Sequence, residues 1–150
     1  MGTRAVGRVA LLSIHPRYAD GILAGAKRVE FRKRPLAADV THVVVYATAP
    51  VSAVVGAFSV EGQHTLTPAE LWQRFADVGG IEEDAFAAYY GSRDLGTGIA
   101  VGEVLRSAAP MCLRSHLGIS HPPQSFRYLA AETAQAVLRQ MRPAPAAVSA

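Results

Sequence analysis

The stretch LLSIHPRYADGILAGAKRVEFRKR (residues 11–34) predicts the first three elements of the fold. It begins with a short apolar run that is typical of a buried strand. Pro16 then suits the first turn of a helix, and Gly25 has the conformational freedom of a residue that ends one. A second strand over residues 27–33 follows at once. We therefore expect strand, helix and strand in succession, with the helix over residues 16–24.

The rest of the chain contains more predicted strands than a helical bundle would hold. Three further strands, rich in β-branched residues or interrupted by glycines, are predicted over residues 42–47, 52–62 and 96–106. A capping box with Thr67 as cap and Pro68 at the first helical position begins one helix, and others are predicted over residues 80–91 and 124–141. The helices cluster instead of alternating with strands, so a doubly wound parallel sheet fits poorly. The sequence predicts an α+β fold: a small mixed β-barrel of about five to six strands with short peripheral helices and a C-terminal helix.

Length and composition indicate one compact domain. The chain has 150 residues, of which 50% are hydrophobic, enough for one core. We expect a flexible arm at residues 1–8, the domain at residues 9–141 and a disordered tail at residues 142–150. No apolar run has the length of a membrane span, and the amino terminus lacks the apolar core of a signal peptide. We therefore expect a cytoplasmic protein with no membrane partner.

Metal and cofactor sites find little support in the sequence. The single cysteine, Cys112, excludes an internal disulfide and cysteine-rich zinc sites. His116 and His121 follow it in a predicted loop, but no fourth ligand accompanies them. The glycines of GTGIAVG (residues 96–102) lead into a strand and not a helix, so neither the phosphate-loop nor the dinucleotide fingerprint applies. We predict no metal and no cofactor.

Positive charge is concentrated near the amino terminus. The formal net charge of the chain is +3, yet residues 17–34 hold six basic side chains against two acidic ones. Such a patch on a nearly neutral body favours a polyanionic ligand, with nucleic acid the first candidate. A solvated basic hairpin is the alternative. The six residues are Arg17, Lys27, Arg28, Arg32, Lys33 and Arg34.

One carboxylate, Glu30, lies among these cations. Side chains alternate along a strand, so Val29 and Phe31 are expected to face the core. Glu30 then faces the other side, together with Arg28 and Arg32. A carboxylate between two arginines can accept hydrogen bonds from both and fix their guanidinium planes. An exposed salt-bridge ladder is the alternative, in which each pair contributes only about 0–1 kcal/mol.

Several motifs together resemble those of a known family. Residues 11–34 are followed by VVVYATAPVSAVVGAFSV, YYGSRDLGTGIAVGEV and PPQSFRYL, and the first stretch satisfies a G-x-K-x-x-E-x-R pattern through Gly25, Lys27, Glu30 and Arg32. In these features the chain resembles the ASCH family, a branch of the PUA-like superfamily, and in particular its bacterial single-domain members. The resemblance implies a small PUA-like β-barrel with a cleft bordered by the helix of residues 16–24.

The resemblance also implies several kinds of function. ASCH domains were proposed as RNA-binding modules, some small members are amidohydrolases that act on acetylated cytidine, and ribonuclease activity is associated with the family. The lysine of the amidohydrolases matches Lys27 here, whereas the position of their threonine is occupied by Glu30. If this chain is an enzyme, we expect Lys27 as nucleophile or base, Glu30 to orient it, and Thr48 to bind or attack through its hydroxyl.

Binding needs fewer coincident groups than catalysis, so the leading prediction is a basic cleft that binds RNA or a nucleotide and recognises a modified nucleoside. Cations would hold phosphate, and Glu30 a base amino group or a sugar hydroxyl. The alternative is a hydrolase, either an amidohydrolase of N4-acylated cytidine-type amides or a ribonuclease; DNA as the ligand and the oligomeric state stay open. The predicted binding residues are Ser13, His15, Arg17, Lys27, Arg28, Glu30, Arg32, Lys33, Arg34 and Tyr46. Candidates for stacking a base are Tyr18, Tyr46, Tyr89 and Tyr90.

Overall fold

The computed structural model of the chain describes residues 5–145. Within this range the strands are β1 (Arg8–Ile14), β2 (Val29–Arg32), β3 (Val40–Ala47), β4 (Ala53–Leu66), β5 (Gly96–Met111), β6 (Phe126–Tyr128) and β7 (Met141–Pro143). They form one mixed sheet in the order β2-β5-β4-β3-β1-β6, with β7 paired to β5. The sheet curls into a half-barrel, so the predicted α+β, PUA-like fold is confirmed.

Helices surround this sheet. The α-helices described by the structure are α1 (Pro16–Leu23), α2 (Pro68–Phe75), α3 (Glu83–Tyr90), α4 (Leu113–Leu117) and α5 (Ala131–Arg139), and a 3-10 helix covers Ala76–Val78. Helix α1 is followed by Gly25 at φ 82°, as its role in ending the helix predicts. Helix α2 begins with the predicted capping box, in which Thr67 and Glu70 each accept the backbone N–H of the other. No helix among residues 5–145 is long and apolar enough to span a membrane.

The predicted helix over residues 124–141 is wrong in its first half. Residues 126–128 form β6, which pairs antiparallel with β1 through Leu12 and Phe126. Without this partner the outer edge of β1 would leave backbone groups unpaired, a long-range requirement that helical spacing does not show. The helix itself starts only at Ala131.

Both chain ends bear on the predicted domain boundaries. Strand β1 starts at Arg8, inside the predicted arm, and β7 pairs with β5 beyond the predicted boundary at residue 141. The remaining residues of the predicted arm and tail, 1–4 and 146–150, lie outside the described residues.

The core that positions the site lies beneath α2 and α3. Val29 and Phe31 of β2 are buried there with Phe86 and Tyr90 of α3, as the strand alternation predicts for the two β2 residues. The rings of Phe31 and Phe86 meet edge to face with centroids 4.9 Å apart. This packing holds α3 against the outer strand β2.

The sheet of residues 5–145 ends at β2 on one side and at β6 on the other, and we call the gap between β2 and the β1–β6 pair the seam. The guanidinium of Arg32, on β2, crosses it. It donates to the backbone oxygen of Ser13 on β1 at 3.3 Å and, just before β6, to the backbone oxygen of Ser125 at 3.2 Å and its Oγ at 2.7 Å. A side chain therefore joins the sheet edges here in place of a backbone ladder.

Candidate ligand-binding cavity at the seam

A cavity of about 510 Å³ opens beside Arg32, and we call it the seam cavity. Its volume lies within the range of about 300–1,000 Å³ that is usual for small-molecule sites. One side is formed by the end of β1, α1 and β2, and the other by the loop before α3 and α3 itself. The lining residues are Ser13, Ile14, His15, Tyr18, Lys27, Glu30, Phe31, Arg32, Ile81, Ala85, Ala88 and Tyr89.

Lys27 lies on the floor of the seam cavity with 2% of its surface exposed. Its Nζ donates a hydrogen bond to the backbone oxygen of Gly79 at 2.5 Å and lies 3.7 Å from Glu30 Oε1. The ring centroids of Tyr18 and Phe31 lie 5.2 and 5.3 Å from the same nitrogen. Two acceptors and two aromatic rings therefore compensate for the loss of water around the amine.

Glu30 is also buried, with 6% of its surface exposed, so the exposed salt-bridge ladder is excluded. Its Oε2 accepts from Arg32 at 3.2 Å, as predicted. The prediction that Arg28 is the second partner of Glu30 is wrong. Strand β2 begins only at Val29, and the Arg28 guanidinium donates instead to the backbone of β5. Lys27 is the second partner instead, so the Glu30 carboxylate lies between the Lys27 ammonium and the Arg32 guanidinium.

Burial lowers the pKa of the Lys27 amine below its ordinary value, and the neighbouring Glu30 carboxylate offsets part of this shift. The amine nevertheless donates to a carbonyl and lies beside a carboxylate, contacts that stabilise its protonated form. Arg32 is engaged in the same way by Glu30, Ser13 and Ser125. Both floor cations are therefore already bound to protein acceptors.

The walls of the seam cavity are largely apolar and aromatic. Tyr18 of α1 and Tyr89 of α3 both line it, as the stacking prediction requires, and Tyr89 is 36% exposed. Burial raises the pKa of the Tyr89 hydroxyl, so it is a neutral hydrogen-bonding group at physiological pH. At the mouth, His15 Nδ1 accepts the backbone N–H of Arg17 at 3.2 Å. The neutral ring then carries its proton on Nε2, which can donate to a ligand.

The structure brings together half of the predicted binding residues. Ser13, His15, Lys27, Glu30 and Arg32 line the seam cavity. The other predicted cations, Arg17, Arg28, Lys33 and Arg34, are exposed outside the lining. Arg17 lies 3.9 Å from the Glu82 carboxylate, and Lys33 Nζ lies 5.1 Å from the ring centroid of Tyr89.

Tyr46, Thr48 and Tyr90 lie elsewhere. Tyr46 is buried in a core cluster with Leu11, because alternate residues of β1 and β3 belong to different clusters. Thr48 lies in the turn after β3, where its backbone N–H donates to Ile14, and its side chain is not part of the lining. Tyr90 belongs to the core beneath α3.

The sequence analysis missed the wall that α3 and its preceding loop contribute. Ile81, Ala85 and Ala88 line it at helical spacing, a signal that marks one face without identifying its partner. Gly80 has φ +61°, and a Cβ there would lie 2.7 Å from the Cβ of Lys27. Glycine is therefore required for this loop to approach the lysine. Among the residues that the structure describes, no three His, Cys, Asp or Glu side chains cluster as metal ligands would.

Comparisons with known proteins extend over most of the chain. No family model matches it. The ASCH domain-containing ribonuclease of Zymomonas mobilis is 32% identical over 133 residues, which cover 84% of this chain and 87% of that protein. The crystal structure of ASCH from Zymomonas mobilis matches with a TM-score of 0.77 at 26% identity, covering 89% of this chain and 96% of that one. A serine-to-alanine mutant of ZmASCH, at 27% identity and the same coverage, gives 0.78.

Proposed function

The chain belongs to the ASCH domain family, and on that premise we propose that it binds RNA, with one base inside the seam cavity and the phosphates outside it. The observation that supports this arrangement is which cations are already bound to protein acceptors and which are exposed. Those on the floor, Lys27 and Arg32, are engaged by Glu30 and backbone oxygens, whereas Lys33 and Arg34 are exposed outside the lining. A related protein that is named a ribonuclease supports RNA as the nucleic acid.

The chemistry of the floor suits a neutral planar group better than an anion. A phosphate there would have to displace the Glu30 carboxylate or the backbone oxygens that already engage Lys27 and Arg32. A base can lie between Tyr18 and Tyr89 and donate an amino hydrogen to Glu30, whose carboxylate oxygens accept more than one hydrogen bond each. The sequence predicted that Lys27 and Arg32 bind phosphate. In this proposal the exposed cations bind it instead.

Two adjacent alanines on α3 provide the test. Ala88 lines the seam cavity, whereas Ala87 faces a different cavity of the molecule, and both are exposed. We expect Ala88→Trp to fill the seam cavity and weaken binding of a fluorescent single-stranded RNA about tenfold or more, because a stacked base contributes about 1–3 kcal/mol. Ala87→Trp is the matched control and should bind as the wild type does. Equal affinity of both variants and the wild type would contradict the proposal.

RNA cleavage is a second candidate, favoured by the position of His15 at the mouth, where the phosphate would lie. In this reaction the 2′-hydroxyl attacks the adjacent phosphorus, loses its proton to a base, and forms a 2′,3′-cyclic phosphate. The bond to the 5′-oxygen breaks, and that oxygen takes a proton from an acid. With Nδ1 accepting the Arg17 N–H, His15 would donate from Nε2 to a phosphate oxygen and so stabilise the charge that develops there. RNA with a single 2′-deoxy nucleotide should resist cleavage at that nucleotide, and His15→Gln should slow cleavage of unmodified RNA.

The finer predictions concern a modified base. Lys27 and Glu30 lie together on the floor, but Thr48 does not line the seam cavity, so an amide hydrolysis would rest on two of the three expected residues. Release of acetate from N4-acetylcytidine, lost in Lys27→Met, would support this activity. Tighter binding of N4-acetylcytidine than of cytidine without release would instead support recognition of a modified nucleoside.

A further inference from the structure

We infer that Lys33, Tyr89 and Arg93 bind the nucleotide next to the one in the seam cavity, so that the protein binds a strand and not only a single nucleotide. We call these three residues the rim site. This inference rests on the proposed function, since it takes one base inside the seam cavity as its starting point.

The rim site is continuous with the wall of the seam cavity. Tyr89 lines the cavity and contacts Lys33, whose Nζ lies 5.1 Å from the ring centroid. The Arg93 guanidinium in turn donates to the backbone oxygen of Lys33 at 3.1 Å. A ligand that leaves the cavity past Tyr89 therefore meets two cations in succession.

The Tyr89 ring is held in place from the protein side. It packs edge to face against Tyr90 with centroids 5.0 Å apart. The Tyr90 hydroxyl donates to the backbone oxygen of Arg32 at 2.9 Å, which ties this pair to β2. An aromatic surface that is already ordered loses little conformational entropy when a ligand stacks on it.

An exposed aromatic ring beside two cations has the chemistry of a single-stranded nucleic-acid site. The contact between Lys33 and Tyr89 is solvent-exposed and therefore weak, so a base can replace the ammonium on the ring. The freed ammonium then remains close enough to pair with a phosphate. The ion pairs found around the seam cavity involve Arg17, Lys27 and Arg32, and neither Lys33 nor Arg93 takes part in them.

The first test compares short and long ligands. The double variant Lys33→Ala/Arg93→Ala should bind homopolymeric RNA pentamers about 25-fold more weakly at 0.1 M salt, while its affinity for ribonucleoside 5′-monophosphates changes much less. The slope of log K against log salt for the pentamers should become shallower by about 1.4, the value for two lost phosphate contacts on a single strand. Arg139→Ala/Arg142→Ala is the matched control, because both of these exposed arginines also donate to backbone oxygens.

The second measurement needs no substitution. The chain has two lysines, of which Lys27 is buried and Lys33 is exposed. A bound pentamer should protect Lys33 from acetylation by an amine-reactive ester, as read by peptide mass spectrometry, whereas a nucleoside monophosphate should not.

The outcomes separate the two ideas. If Ala88→Trp loses pentamer binding while the rim-site variant binds with the affinity and salt slope of the wild type, the rim site is wrong and the cavity proposal stands. If the wild type binds neither pentamers nor monophosphates, the proposed function fails, and the rim site with it. Protection of Lys33 by monophosphates as strong as by pentamers would also overturn the inference, because the cavity nucleotide alone would then cover it.

Discussion

Glu30→Gln removes the negative charge from the cavity floor while keeping the shape of the side chain. In the wild-type protein the side chains of Lys27, Glu30 and Arg32 are 3%, 7% and 14% exposed, so the ion pairs are shielded from water. Removal of one partner from such a buried pair costs about 3–5 kcal/mol, because the remaining charge is left uncompensated. Lys27 keeps its hydrogen bond to Gly79, and the glutamine carbonyl can still accept from one cation. We therefore expect a loss near the lower limit, about 3 kcal/mol of unfolding free energy.

Urea and thermal unfolding, followed by circular dichroism, measure this loss. For a chain of this size about 3 kcal/mol corresponds to a drop in Tm of roughly 6–12 °C. Glu61→Gln is the control, because Glu61 is an exposed carboxylate on β4, and its replacement should change the unfolding free energy by less than about 0.5 kcal/mol. The double variant Lys27→Met/Glu30→Gln should lose less than the sum of the two single variants, since it leaves no unpaired lysine. A cost for Glu30→Gln as small as that of the control would refute the argument that Glu30 is a shielded partner of Lys27 and Arg32.

The pH dependence gives an independent readout of the same floor. The pKa of Lys27 is lowered in the folded state, so between that lowered value and the unfolded value of about 10.4 the unfolded chain binds the extra proton. Stability from this group therefore rises with pH through that window. Glu30→Gln removes the carboxylate that raises the pKa of Lys27, so the rise should begin at lower pH than in the wild type. Lys27→Met should abolish this contribution; the same pH profile in Lys27→Met and the wild type would contradict it.

Two further predictions concern the seam and the loop over Lys27. Arg32→Lys keeps the charge but cannot reproduce the hydrogen bonds to Ser13 and Ser125. We therefore expect a loss of about 1.5–3 kcal/mol of unfolding free energy and faster amide hydrogen exchange at residues 126–128. Unchanged exchange at these residues would show that Arg32 does not join the two sheet edges. Gly80→Ala should cost about 1–3 kcal/mol in urea unfolding, through its positive φ and the clash with Lys27. Gly118→Ala, at φ 70° with open space around it, isolates the backbone part of that cost, and equal losses in both variants would argue against the clash.

Local signals explain what could be predicted. Helix α1, the capping box of α2 and the alternation of Val29 and Phe31 depend on neighbours within a few residues, and all three were predicted from such neighbours. The pattern that joins Gly25, Lys27, Glu30 and Arg32 is equally local, and it led to the ASCH family. The relation of Glu30 to Arg32 follows from the same spacing of two residues.

The wrong and missing predictions all depend on contacts between distant parts of the chain. Strand β6 forms because it pairs with the edge of β1, which lies more than 100 positions earlier in the chain. The nearby hydrogen bond from the Ser13 hydroxyl to the backbone oxygen of Pro123 joins residues 110 positions apart. The α3 wall reaches the cavity only because Phe86 and Tyr90 pack on β2. Tyr46 has the right residue type for a ligand contact, but it lies on the face of β3 that packs in the core with Leu11 and with Met111, which is 65 positions further along the chain.

The sequence by itself determined the succession of the first elements, the family and the group of charges that the site uses, because each is encoded by residues a few positions apart. Only the tertiary structure decided what those charges do. Gly79, 52 residues from Lys27, and Ser125, 93 residues from Arg32, supply the acceptors that engage the two cations beside Glu30. Burial of Lys27 and Glu30, with Arg32 half-buried beside them, turns a basic run into a paired floor, and the exposed cations around it are left to meet a polyanion.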